Sequence, residues 1–129
     1  MVTPEGGSIQ MLTGITEIPI GGEIPLHTHS SEEFIYVLAG KAEVRVDDHR
    51  EQVEAGDATH VQPGVVHQFV NTGPTPLRIL WAYGEANTTR TLVASGETLG
   101  HLDPYPAPGD GPDDGRGEAA QRHTEAHEA

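Results

Sequence analysis

From Ile9 to about Tyr83 the chain repeats one rhythm: four to eight apolar or alternating residues, then Gly, Pro, Asp or Asn. That rhythm predicts short strands joined by turns. The clearest strand is Glu33-Phe34-Ile35-Tyr36-Val37-Leu38, which ends at Gly40. It leads into Ala42-Glu43-Val44-Arg45-Val46, where apolar and charged residues alternate with period two and so define one buried face. Asp47-Asp48 predicts a hairpin turn into Glu51-Gln52-Val53, and Gly56-Asp57 a second turn. Residues 59–61, 67–70 and 77–83 complete the predicted strands. Pro19 and Pro25 interrupt extended segments, which marks edges or bends because proline cannot donate to a ladder. On the strand that starts at Glu33, parity puts Ile35 and Val37 inward with Glu33. The same parity turns Phe34, Tyr36 and Leu38 outward, against another sheet or a second subunit.

The pattern stops before the end of the chain. Residues 1–8 are polar and Gly/Pro-bearing and read as a loose arm; residues 9–100 carry the strand signals of one all-β domain; residues 101–129 hold seven acidic and two basic residues with almost nothing to join a core, and read as a mobile, disordered tail. At 129 residues, one core is what the length allows. With 16 Gly and 10 Pro, long helices have nowhere to form.

Charge then narrows the partners. Seven basic against 20 acidic residues give a formal charge of −13, and no Lys/Arg cluster is present, so the expectation is no nucleic acid and no membrane surface. No apolar run approaches the ~20 residues needed to span a bilayer. Without a basic leader and apolar core at the start, the expected location is cytoplasmic. There is no cysteine, so any metal must sit on nitrogen and oxygen.

The candidate chemistry is a histidine set. His27 and His29 are two apart and, on a strand, share a face. Glu33 lies four residues beyond His29, near enough to reach the same point from the next strand. His67 comes from a distant strand, after a bend at Pro63-Gly64. Imidazole and carboxylate together suit Fe, Mn, Ni, Cu, Zn or Co, and a histidine-carboxylate set with open positions suits iron oxygenase chemistry. By spacing alone, His27 and His29 are more often two solvated strand histidines. Glu32 is the rival to Glu33, but parity turns it away once Glu33 faces inward. Phe69 shares the face of His67 and reads as core or pocket lining. His49, His60, His101, His123 and His127 lack partners at ligand spacing and are expected on the surface. His123 and His127, four apart, offer no more than an adventitious metal contact. No serine elbow, Walker loop or dinucleotide fingerprint competes, and Lys41 is the single lysine.

The framework around the histidines is what resolves the spacing: Gly21, His27, His29, Glu33 and Gly40, then, after fifteen residues, Gly56, Gly64, His67 and Asn71. These nine positions, over about fifty residues, resemble the two-motif signature of the cupin superfamily. One position departs from it, since Gln62 stands where the family has proline, with Pro63 following. The resemblance implies a cupin double-stranded β-helix, a jelly-roll barrel, with one divalent metal on His27, His29, Glu33 and His67. It also implies a small-molecule substrate and a homodimer. Iron is expected first, with zinc, nickel, manganese, copper or cobalt as alternatives. Three functions follow: a dioxygenase, to which family frequency leans; a redox-neutral cyclase, isomerase or lyase; and a non-catalytic small-molecule binder.

Overall fold

The computed structural model describes residues 1–101 and, as backbone, residues 120–122. Among the described residues there are eleven strands and no helix: β1 Leu12–Ile18, β2 His27–His29, β3 Glu33–Ala39, β4 Lys41–Val46, β5 His49–Glu54, β6 Ala58–Val61, β7 His67–Asn71, β8 Leu77–Tyr83, β9 Thr89–Leu92, β10 Thr98–Gly100 and β11 Ala120–Arg122. Two antiparallel sheets result, one ordered β11-β1-β8-β3-β6 and the other β10-β9-β2-β7-β4-β5. Consecutive strands often fall in opposite sheets, as β2 and β3 do, which is the jelly-roll arrangement expected from the sequence.

Alternation decides what fills the barrel. Ile35 and Val37 of β3, Val44 of β4, Phe69 of β7 and Leu77, Ile79 and Trp81 of β8 are all buried, while Phe34 and Leu38 are exposed. Parity on β3 is therefore as predicted. The predicted hairpin is present as well: Val46 pairs with His49 across Asp47-Asp48, and Asp47 takes φ of 51°. Gly21, Gly40, Gly56 and Gly64 each adopt positive φ. Gly40 needs it and also needs the missing side chain, since an added Cβ would lie 2.9 Å from the Pro76 carbonyl oxygen. Gln62 in place of proline costs the bend nothing, because Pro63-Gly64 still turns and the Gly64 amide donates to the His29 carbonyl at 3.0 Å.

Asn71 ties the far end of the barrel together. Its amide nitrogen lies 3.1 Å from the Ile18 and Pro19 carbonyls and 2.9 Å from that of Thr75, and its oxygen accepts the Gly73 amide at 3.0 Å. One buried side chain thus joins the end of β1 and the connection after it to the turn between β7 and β8.

Three features depart from the sequence reading. The arm at residues 1–8 returns onto its own barrel: Val2 and Thr13 exchange backbone hydrogen bonds, and Met1 packs on the core. The tail lends a strand, as β11 pairs with Ile15, Thr16 and Glu17 of β1; the remainder of it, with His123 and His127, lies outside the described residues. Two further strands, β9 and β10, follow the last predicted one. They escaped the pattern because the buried positions of β9 are Arg90 and Leu92, so an arginine stands where an apolar residue would announce the inward face.

Candidate metal centre

The two sheets meet face to face, and the motif residues lie on their facing sides. His27 and His29 alternate inward on β2, and His27 stands directly across from His67 on β7. Glu33 comes from β3 of the other sheet, where its registered neighbour is Tyr83 of β8. All five are buried. The candidate ligand nitrogens of His27, His29 and His67 lie within 4.8 Å of one another, so this trio could hold a metal ion. Glu33 adjoins it, with Oε1 at 2.9 Å from His67 Nε2 and 3.7 Å from His29 Nε2.

Backbone carbonyls fix the orientation of the rings. His27 Nδ1 lies 2.7 Å from the Pro25 oxygen, His67 Nδ1 2.9 Å from the Val65 oxygen, and His29 Nδ1 3.4 Å from the Thr89 oxygen. Each Nδ1–H donates outward, which leaves the Nε2 lone pairs of His29 and His67 aimed at the interior. Burial, and secondarily the neighbouring His67, hold His27 well below the ordinary histidine range. Burial first, then His27 and His67, push His29 down strongly as well. Burial thus favours neutral imidazoles at His27 and His29.

Tyr83 donates its hydroxyl to His29 Nε2 at 2.9 Å. Between His67 Nε2 and Glu33 Oε1, however, two acceptors stand at hydrogen-bond distance. Such a contact requires positive charge between them, as a proton or a metal ion. The donor set therefore fits a divalent cation held by nitrogen and oxygen. The space it borders is small, about 20 Å³, room for one water-sized body. Its wall is largely apolar, from Ile24, Ile35, Phe69, Ile79 and Trp81.

Glu32, the rival carboxylate, faces out and pairs with the exposed His60, and exposed His49 pairs with Glu51. Both histidines are on the surface, as expected. His101 is not. It is buried at the cavity, its ring centroid 4.5 Å from those of both Trp81 and Tyr83 and 5.2 Å from that of His29. Its place comes from β10, which ends at Gly100, and from its amide donating to the Thr88 carbonyl at 3.0 Å. Sequence spacing held no signal for it, because the nearest motif histidine is 34 residues away. Tyr83 and Arg90 also line the cavity unforeseen. Tyr83 was visible only as a strand residue of unknown register, and the strand of Arg90 was not predicted.

Residues 14–83 match the model of the family described as Cupin domain. Protein SchB of Streptomyces halstedii is 32% identical over 105 residues, covering 80% of this chain and 71% of that protein. The tetracenomycin polyketide synthase protein TcmJ of Streptomyces glaucescens is 27% identical over 110 residues, covering 84% and 69%. An uncharacterized protein of Methanocaldococcus jannaschii is 36% identical over 64 residues, 49% of this chain and 51% of that protein, so the chain spans about half the length of that relative. Among solved structures, a double-stranded β-helix protein from Klebsiella pneumoniae superposes with a TM-score of 0.62 at 25% identity, covering 66% of this chain and 76% of that one. The polyketide cyclase RemF from Streptomyces resistomycificus superposes with a TM-score of 0.58 at 27% identity, covering 64% and 59%. With the match spanning more than half of its residues and the double-stranded β-helix present, this chain belongs to the cupin family.

Proposed function

We propose that this cupin is a metal-dependent enzyme that performs redox-neutral chemistry, of the cyclase or isomerase kind, on a small carbonyl-bearing molecule of the polyketide type. The observation that carries the metal is the convergence of the His29 and His67 lone pairs with Glu33 Oε1 inside a barrel. The support for the reaction class is the likeness to TcmJ and RemF, whose names place them in polyketide biosynthesis. It shifts the balance from the oxygenase, which the sequence favoured on family frequency, to its redox-neutral alternative.

In this reading His27, His29, Glu33 and His67 hold the ion. When bound, a divalent cation supplies Lewis acidity that polarises a carbonyl oxygen and stabilises an enolate. The chain supplies the rest. The three Nδ1 contacts keep the rings from turning. Tyr83 gives its one hydroxyl proton to His29 Nε2 while that lone pair is free, and can turn it to a substrate oxygen once a metal takes the lone pair. The apolar wall excludes water and strengthens each of these interactions. No redox-active metal is needed, so zinc, nickel, manganese and iron all suit the site. A homodimer through the outer face of β3, where Phe34 and Leu38 are exposed, is part of the same proposal.

The test is turnover under nitrogen. Protein loaded with zinc or with iron is incubated with a linear β-polyketone, and products are followed by mass. Ring closure without oxygen, lost in His67→Ala, supports the reading. Conversion that requires iron and consumes oxygen would replace it with the oxygenase.

A further inference from the structure

The cavity beside the histidines has room for one water-sized body, so an organic molecule reaches the centre only when part of the wall moves. The sheet topology says which part moves most easily. The lining positions on β1, β2, β3, β7, β8 and β9 stand on strands paired on both sides. Ile24, in the loop before β2, is fixed by its amide donating to the Phe69 carbonyl at 2.9 Å. His101 is different. It follows β10, which is three residues long and, among the described residues, an edge strand paired with β9 alone. Residues 93–97, which lead into β10, are exposed throughout. An edge hairpin with an exposed tip opens at lower cost than a strand paired on both sides.

The ring of His101 is nevertheless buried. It stands edge-on to Trp81, with centroids 4.5 Å apart and planes at 76°, and lies 4.5 Å from Tyr83 at 60° and 5.2 Å from His29 at 67°. A planar ring thus fills a slot walled by aromatic side chains and opening on the metal centre. We infer that His101 is a removable plug, and that the slot it fills is the binding site for a flat, unsaturated ring of the substrate, which takes its place against Trp81 and Tyr83. The inference rests on the proposed reading of the centre as the place where a small molecule reacts; it adds the shape of that molecule and the residue it displaces. Aromatic edges and faces attract through their ring quadrupoles, and a saturated ring of similar size lacks that attraction. The far wall stays in place when the plug leaves, because Trp81 Nε1 donates to Thr16 Oγ1 at 2.8 Å on a doubly paired strand. Without a ligand the plug is latched shut: the His101 amide donates to the Thr88 carbonyl and its carbonyl accepts from Arg90 Nη1, both at 3.0 Å.

The probe is phenol, with cyclohexanol as its saturated control, titrated into metal-free and zinc-loaded protein. Binding is read by the emission of Trp81, the single tryptophan, which lines the cavity, excited at wavelengths phenol does not absorb. In the wild type phenol must first displace His101, which weakens its apparent affinity. His101→Ala removes that cost and should bind phenol about tenfold to a hundredfold more tightly than the wild type, the range for two or three aromatic contacts, with a smaller gain for cyclohexanol. His101→Phe, which refills the slot, should bind phenol no better than the wild type. Equal phenol affinity in His101→Ala and the wild type, saturable binding to neither, or an equal gain for cyclohexanol overturns the inference. Zinc content is read separately: a wild type that takes up no zinc removes the reading of the centre, and the metal-free titration still decides the slot. If His101→Ala does not fold, the His101 ring-proton resonances of the wild type decide, because Trp81 and Tyr83 shift them from the exposed-histidine position. Movement towards that position as phenol saturates supports the plug, and resonances that stay in place overturn it.

Discussion

Replacing Asn71 with alanine removes one buried side chain that serves four backbone groups. Its amide contacts the carbonyls of Ile18, Pro19 and Thr75 at 3.1, 3.1 and 2.9 Å, and its oxygen accepts from Gly73 at 3.0 Å. The amide has two hydrogens, so the three carbonyl contacts amount to about two full bonds, and the oxygen adds a third. At about 1 kcal/mol net for each, with a further penalty for a carbonyl left dry, the loss is about 3–4 kcal/mol. For a chain of this size that lowers the Tm by about 10–15 °C. Thermal unfolding followed by Trp81 emission measures it. Asn71→Asp sharpens the test, because it keeps an acceptor for Gly73 but sets a carboxylate against three carbonyl oxygens. It should be at least as destabilising as alanine. A loss under about 0.5 kcal/mol in Asn71→Ala, or an aspartate variant more stable than the alanine variant, would refute the argument.

Four further outcomes are expected. Gly14→Ala should destabilise by about 1–3 kcal/mol and shift Trp81 emission, because the new Cβ would fall 2.7 Å from Trp81 Cη2, a contact that forces the ring to move. Metal-free protein should lose stability as pH falls below 6.5, the ordinary histidine value. His27 and His29 have lowered values in the folded chain, so the unfolded chain binds the extra protons, at up to about 2.7 kcal/mol per pH unit for two sites. A pH–stability curve that is flat or rises on acidification contradicts this. His49→Ala with His60→Ala should leave metal content unchanged, since both side chains are exposed and their carboxylate pairs contribute little. Phe34→Lys with Leu38→Lys should convert the proposed dimer to monomer by light scattering with the metal retained; a dimer that persists moves the interface elsewhere.

What the sequence disclosed follows from periodicity. Strand parity is a geometric constraint, so once the family resemblance turned Glu33 inward, the inward Ile35 and Val37 and the outward Phe34 and Leu38 followed, although residues 34–38 are apolar throughout. The motif glycines were legible because positive φ leaves a compositional trace at turns. His27 and His29 share a face by spacing, while the meeting of both with His67 and Glu33 depends on pairing across the chain and entered through the family resemblance. Arg90 and His101 were not legible, and Tyr83 was legible only as a strand residue without register. Their positions are set by β8, β9 and β10 docking beside β1, β2 and each other, and the inward positions of β9 include an arginine rather than an apolar residue. A polar residue in an inward position erases the alternation that would identify its strand. The pairing of Val2 with Thr13 and of residues 120–122 with β1 is carried by main chain, which side-chain patterns do not report.

The central claim is that the facing lone pairs of His29, His67 and Glu33 surround a metal ion. Elemental analysis of protein purified without a histidine tag or added metal, repeated on Glu33→Ala and His67→Ala, tests it most directly. About one divalent metal per chain in the wild type, lost in both variants while their strand content is retained, is the predicted result. A wild type without metal, or metal that persists at the same stoichiometry in both variants, would contradict it.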